Sequence, residues 1–368
     1  MTTQTAKNLY HQYAASLPII DYHNHLSPQE IAQNKKFSNL THIWLRGDHY
    51  KWRAMRALGV EEKWITGAAS DLEKFKVFAA CVPHTLRNPL FHWVHLELKN
   101  PFGVQTYLQE ANADEIYTHC SVMLQEEDFS TQGLLRHFKV EMVCTTDDPC
   151  DDLVHHQKAQ KDQFGVQLLP GFRPDKILQI ADREAFLAYA QRLSLASGTA
   201  ITDFDSLLAA LQQRVNYFHA NGCRIADHGL SSMPAYTELS ADVLAEFKVF
   251  LSKKAASPFS HPEAFAGTLL KELCKMYHIK GWVQQFHLGA MRNNNSRQFQ
   301  QLGPDSGYDS IGDFAQAKSL SQFLNELEKQ QALTKTIIYN LNPSDNEVFA
   351  SMTGNFSEGG VKGKIQFG

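Results

Sequence analysis

The feature that most constrains the fold is a rhythm. Short apolar runs, most of them ending in polar or ionisable residues, alternate with longer stretches of helical spacing. Seven runs read as strands: "LPIIDYH" (17–23), "VEMVCTTDD" (140–148), "GVQLLPGFR" (165–173), "CRIADHG" (223–229), "GWVQQFHLG" (281–289), "KTIIYNLN" (335–342) and "GKIQFG" (363–368). Helix-like stretches lie between most of them. "DREAFLAYAQRLSLA" and "DFDSLLAALQQRVNYFHANG" have helical spacing, the second with an Asp start and a stop at Gly222. "SADVLAEFKVFLSKKAAS", "HPEAFAGTLLKELCKMYHIKG" and "FAQAKSLSQFLNELEKQQ" follow the same pattern. Strands that alternate with helices imply a parallel sheet with helical crossovers.

The expected class is therefore α/β, a (β/α)8 TIM-type barrel. An open doubly wound sheet normally carries a glycine-rich turn after its first strand, whereas the turn here, "HNHLSPQE", contains no glycine. A closed barrel needs eight strands and seven are legible, so the chain is expected to end before the eighth and to have little activity as it stands. Barrel chemistry sits at the C-terminal strand ends. Those ends carry Asp147, Arg173, Asp227, His228, His287 and Asn340.

One segment breaks the rhythm. Residues 27–135 contain no convincing strand but several helix-like stretches, among them "DHYKWRAMRALGV", "DLEKFKVFAACV" and "PLFHWVHLELKN". That is too long for a loop and reads as a helical insertion over the exit of the first strand. The expected division is 1–26 (N-terminal segment and first strand), 27–135 (insertion) and 136–368 (strands two to seven). "RNNNSR" (292–297) reads as a polar loop.

Composition narrows the function classes. With 43% hydrophobic and 20% charged residues the chain can bury a large core. A net charge of −4, with no basic block, gives no support to nucleic-acid or anionic-membrane binding. The N-terminus lacks a signal-peptide layout and no apolar run approaches bilayer length, so a cytoplasmic protein is expected. Six scattered cysteines form no C-x-x-C pair.

In "IIDYHNHLSP" (19–28), Ile19 and Ile20 suit a buried strand, and His23 and His25 fall at its exit. Residues i and i+2 of a strand share a face, so two imidazoles at this spacing can aim at one metal ion. The pattern alone is weak, because 17 histidines in 368 residues give about one H-x-H by chance. A hydrogen-bonded pair at a strand end is the plain alternative. His287, at the end of the fifth run, is a further imidazole of the type that zinc-like metals accept, or else a hydrogen-bonded barrel histidine. In "RGDHYKWRAMRALGV" (46–60), Asp48 reads as an N-cap and Gly59 as the stop. His49, Arg53 and Arg56 share one face of that helix, ordinarily a solvated one. The functional alternative has His49 and Tyr50 pointing into the barrel mouth as proton-transfer or hydrogen-bonding groups. Arg173, at a strand end, suits a carboxylate through its planar fork. Arg292 lies close to His287 in "HLGAMRNNN".

Together, "DYHNHLSPQEIAQNKKFSNLTHIWLRGDHYKWRAMRALGV", "TTDDPCDDL", "PGFRPD", "ADHGL" and "FHLGAMRNNNSR" resemble the uronate (glucuronate) isomerases, a family of metal-dependent amidohydrolase-type barrels. The resemblance runs along essentially the whole chain. It implies aldose–ketose isomerisation of D-glucuronate to D-fructuronate and of D-galacturonate to D-tagaturonate. By motif it implies His23 and His25 as metal ligands, His49 and Tyr50 as substrate-facing catalytic groups, and Arg173 as a substrate-binding residue. His287 falls in the family's H-L-G-A-x-R segment as a catalytic candidate, with Arg292 beside it as a substrate contact. The implied cofactor is a divalent metal, zinc by ligand type with manganese the alternative. The implied partner is a small uronate, and a homo-oligomer stays open. Family members continue past the equivalent of Gly368 with a T-D-S-R strand, whose Asp is expected to complete the metal site and to act as the base. Hydrolysis on the same barrel, or uronate binding without turnover, are the alternative functions.

Overall fold

The computed structural model describes residues 1–252 and 258–368. Seven strands run parallel: β1 (Ile19–Asp21), β2 (Val140–Cys144), β3 (Gln167–Leu169), β4 (Ile225–Leu230), β5 (Val283–Leu288), β6 (Thr336–Asn340) and β7 (Ile365–Phe367). They follow one another in chain order, β1-β2-β3 in one ladder and β4-β5-β6-β7 in the other. Among the described residues, a single one joins the two ladders. Phe172 bridges Asp147 on one side and Ala226 on the other. Its N–H donates to Ile225 O (3.1 Å), and its carbonyl accepts from Asp227 N (2.9 Å). Arg173 N in turn donates to Asp147 O (2.9 Å). This stitch brings Asp147, Arg173 and Asp227 to one level at the C-terminal end of the sheet.

Parallel neighbours need long crossovers, and helices supply them. The predicted helices appear as Arg183–Ser197, Phe204–Ala220, Ala241–Leu251, Pro262–Lys280 and Ala317–Lys329. The last shows why such segments pack: Leu320, Phe323, Leu324 and Leu327 recur at helical spacing and are all buried. Asp203 caps Phe204–Ala220 through a reciprocal bond with Ser206. Beyond this helix, Gly222 takes φ +95°, a left-handed value that suits glycine. The end of the predicted helix over 240–257 falls partly on residues 253–257, outside the described residues. The core between helices and sheet is aromatic, with Phe172, Phe218, Phe265, Tyr277, Trp282 and Phe286 all fully buried.

No strand occurs between Asp21 and Val140, where seven α-helices run from Pro28–Ala32 to Thr131–His137. Those between pack around their own apolar cluster, which includes Met55, Phe75, Phe78, Val94, Leu98 and Cys120, while Ile31, Ala32 and Leu135 of the first and last pack with Val143 and Leu168 of the sheet. Asp48 caps the His49–Ala57 helix, accepting from Tyr50 N and Lys51 N at 3.0 Å each.

Three sequence expectations change. Ile19 and Ile20 are 47% and 59% exposed rather than buried, because β1 pairs with β2 alone. "RNNNSR" is a loop only in part, since a helix begins at Ser296. A short antiparallel pair, Ala290–Met291 with Ser310–Ile311, brackets that helix. Such two-residue strands carry too little pattern to be read from sequence. Among the described residues β1 and β7 share no ladder; the nearest link is between the Tyr22 and Tyr339 hydroxyls, at 3.2 Å. No described helix is long and apolar enough to cross a membrane.

Beneath the strand ends lies a buried polar chain. His156 Nε2 lies 2.8 Å from Thr145 Oγ1, which donates to Asp147 Oδ2 at 2.7 Å. Burial pushes the Asp147 carboxyl up to about 7 and the His156 imidazole down to about 4. A histidine held neutral in the fold, against about 6.5 in the unfolded chain, stabilises above pH 6.5, and that stability is lost as pH falls toward 4. Asp147 titrates with the opposite sign, so a comparison of wild type with a His156 variant isolates the histidine. The destabilisation caused by His156→Gln should shrink by about 3 kcal/mol between pH 6.5 and 4. Urea denaturation at each pH measures it, and a pH-independent difference would mean that His156 is charged in the fold.

Candidate functional site

The stitch at Phe172 and the β4–β5–β6 register place the central groups. Gly229 pairs with His287 and His287 with Tyr339 in adjacent strands. Asp227 is 2% exposed. Its Oδ1 lies 3.0 Å from His287 Nε2 and its Oδ2 3.1 Å from Arg173 Nη1. Both contacts are close enough for charge pairing, yet neither is aligned as a hydrogen bond. The two carboxylate oxygens and His287 Nε2 are thus buried without a directed partner. Burial alone would raise the Asp227 carboxyl, but His287, Arg173 and His23 outweigh it and hold it below its ordinary value.

His23 approaches from the other side. After β1 the chain is pinned to the end of β2: Asn24 N donates to Cys144 O (3.2 Å) and Asn24 O accepts from Thr146 Oγ1 (2.7 Å). The Asn24 side chain accepts from Leu26 N at 3.1 Å and closes a small turn. His23 thereby packs at a tilt against His287, ring centroids 4.7 Å apart, and His287 stacks flat on Tyr339 at 4.3 Å. Burial lowers the His23 imidazole, which favours the neutral, metal-ligating form. One ligand atom from each of His23, Asp227 and His287 lies within 4.8 Å of the others. Two imidazole nitrogens and a carboxylate oxygen form a donor set for a zinc-like divalent cation, and a cation between them would partner the atoms that are otherwise orphaned.

The other predicted residues divide around this centre. Arg173 is in it, with Nε on Asp175 Oδ2 at 2.9 Å. The His25 ring lies 5.3 Å from His23, edge-on and outside the three-residue cluster. With His49 and Tyr50, whose rings are 4.4 Å apart, His25 lines a cleft of about 830 Å³ walled mainly by the helical segment; His23, Arg173, Asp227 and His287 are not among its lining residues. Lys51, Glu97 and Arg46 also line it. Arg292 is 51% exposed and pairs with Asp309 Oδ2 at 3.0 Å.

Of the helix face expected to be solvated, Arg53 stays exposed but Arg56 is half-buried, and both hold neighbours. Arg53 donates to Asp309 O (2.6 Å), while Arg56 holds Glu62 with both ends of its fork (2.8 Å each), reaches Ser306 O and packs over Tyr308. The segment after β5 is thereby docked onto the helix that carries His49. Asp227 is the central residue to which the sequence gave a place, at a strand end in "ADHGL", but no role. Asp175 carried no comparable mark.

Residues 1–368 match the family model described as glucuronate isomerase. The chain belongs to the glucuronate isomerase family. The uronate isomerases of Cellvibrio japonicus and Geobacillus thermodenitrificans are 48% and 50% identical to it, over 100% and 99% of this chain and 78% of each relative. The crystal structure of the uronate isomerase from Thermotoga maritima superposes with a TM-score of 0.91 at 31% identity, covering 100% of this chain and 78% of that one. The glucuronate isomerase from Caulobacter crescentus shares the fold, with a TM-score of 0.86 at 24% identity over 96% of this chain and 73% of that one. This isomerase-family chain thus carries its charged centre and its cleft on a fold shared with both.

The docking by Arg56 has a measurable consequence. Arg56→Met removes the fork on Glu62 and the bond to Ser306 O, worth about 1–3 kcal/mol of local stability. Amide exchange in 303–311 should then speed up by roughly tenfold or more, with 262–280 unchanged. Uniform acceleration of both segments would show that Arg56 supports the whole fold instead.

Proposed function

We propose that the chain isomerises hexuronates, converting D-glucuronate to D-fructuronate and D-galacturonate to D-tagaturonate. The observation that carries this reading is the whole-length family match, with relatives at 48–50% identity. The strand-end geometry supports a division of the work. The seven parallel strands in sequential order are read as a (β/α)8-type barrel, whose chemistry belongs at the end where Arg173, Asp227 and His287 meet.

An open-chain uronate loses the C2 proton, passes through an enediol, and regains a proton at C1 while another moves from O2 to O1. Atoms balance and no redox partner is required. The difficulty is the negative charge that develops on oxygen. His23, Asp227 and His287 would hold a divalent cation, with His25 next in line, and a bound cation supplies electrostatic stabilisation of that charge. Asp227 stays anionic beside Arg173 and so suits the role of ligand and counter-charge. His49 and Tyr50, at the helix start bordering the cleft, hydrogen-bond the sugar oxygens and shuttle the proton between them. Arg173 engages the C6 carboxylate through its terminal nitrogens, because Asp175 already takes Nε. Zinc is the preferred metal on ligand type and manganese the alternative.

Two outcomes follow. Asp227→Asn should lower bound divalent metal, measured by elemental analysis of the purified protein, and catalytic rate together, the rate by about 10²-fold or more. Full metal content in this variant would remove Asp227 from the ligand set. Arg173→Lys should impair uronates nearly as much as Arg173→Ala, because an ammonium cannot reproduce a fork. Neutral aldoses should be affected much less. Equal losses on charged and neutral sugars would assign Arg173 a structural part.

A further inference from the structure

We propose that Asp175 and His228 are positioning residues that decide which edge of Arg173 meets the substrate, and so set the enzyme's selectivity for a carboxylate. The proposal rests on the reading of Arg173 as the carboxylate anchor.

Arg173 stands between two acids. Asp175 takes Nε at 2.9 Å, and Asp227 faces Nη1 at 3.1 Å. Its third side is a wall: Nη2 packs so close to the Gly229 Cα that a Cβ there would lie 2.2 Å away. A guanidinium has five N–H donors in a rigid fork, so the edge that one carboxylate takes determines the edge left for another. With Nε held by Asp175, and Nη1 facing Asp227 without an aligned hydrogen bond, only the N–H groups of the terminal nitrogens that point away from Asp227 and Gly229 remain for a ligand. Without that hold, the fork can turn and close bidentately on Asp227, quenching the anchor and the metal-ligand candidate together.

Asp175 is itself built in. Its Oδ2 also accepts from Gly229 N at 2.8 Å, and its Oδ1 lies 3.2 Å from His228 Nδ1. His228 is fully buried, stacked on Phe286, with Nε2 3.3 Å from the Tyr277 hydroxyl. Tyr277 is fully buried too and stays protonated, since burial pushes its hydroxyl up. A hydroxyl that donates to Nε2 leaves the proton on Nδ1, where it points at Asp175. The Tyr277 hydroxyl, both His228 nitrogens, both Asp175 oxygens and Arg173 Nε are then joined in one relay. This relay reaches the sugar only through Arg173.

The test measures Kd and KM for D-glucuronate and for D-glucuronamide, its neutral counterpart, together with kcat and Tm. His228→Leu should weaken glucuronate binding by about tenfold and glucuronamide binding by less than about twofold, narrowing the acid-over-amide preference. His228→Asn keeps an N–H toward Asp175 and should restore most of that preference. Equal weakening of both ligands, or a folded His228→Asn protein without recovery, would show a merely structural role and overturn the proposal. Where His228→Leu does not fold, Asp175→Ala removes the oxygen that accepts from Arg173 Nε and Gly229 N, and should narrow the preference likewise. Unchanged preference in a folded Asp175→Ala protein would overturn the proposal as well. Arg173→Ala separates the two levels: if it abolishes the preference while His228→Leu leaves it intact, only the relay is wrong. If Arg173→Ala itself leaves the preference intact, the anchor reading fails with it.

Discussion

A carboxylate that is 2% exposed cannot stay charged without cationic or strongly polar company, and Asp227 imposes that demand on everything around it. Its neighbour across the stitch shows the alternative. Asp147 is about equally buried but meets a hydroxyl and an N–H rather than a cation, and its carboxyl is pushed up to about 7. Two acids one strand apart thus take opposite courses. Arg173, His287 and His23 make the difference, and each is placed by a separate backbone device: the Phe172 bridge, the β4–β5 register and the Asn24 turn. The charged centre is therefore a product of the sheet's own hydrogen bonding, not of loops laid over it.

Much of this scaffold was legible in the chain. The seven runs coincide with the seven parallel strands, and apolar spacing with Asp and Gly punctuation located the principal helices. What pattern could not supply was lateral contact. "ADHGL" contains three consecutive residues with different duties: Asp227 as the buried charge, His228 as the link into the core, and Gly229 as the absence of a side chain where Arg173 lies. Strand alternation sends 227 and 229 to one face and 228 to the other, so the division is implicit in the period of two. The partners that give it meaning come from other elements, tens of residues away. Arg53 and Arg56 teach the same lesson. Their shared helix face was readable, whereas the loop carbonyls that they hold were not.

Membership of the glucuronate isomerase family and the local geometry bear on different questions. The match over residues 1–368 identifies the reaction class. The geometry separates the members of the H-x-H pair: His23 packs against the Asp227–His287 centre, while His25 borders the cleft. Two histidines at strand spacing can share a face without sharing a job, because the turn at Asn24 rotates the chain between them.

The helical segment and the sheet have largely separate apolar cores, joined where Ile31 and Ala32 pack with Val143 and Leu168. What fastens them near the cleft is largely polar: Arg53 on Asp309, Arg56 on Ser306, and Tyr308 beneath the Arg56 guanidinium. Polar seams of this kind open at lower cost than cores do. As temperature rises, His49 and Tyr50 should therefore lose their alignment with the strand ends while both cores remain intact. The upper limit of the molecule's working range is set by its seam rather than by either body that the seam joins.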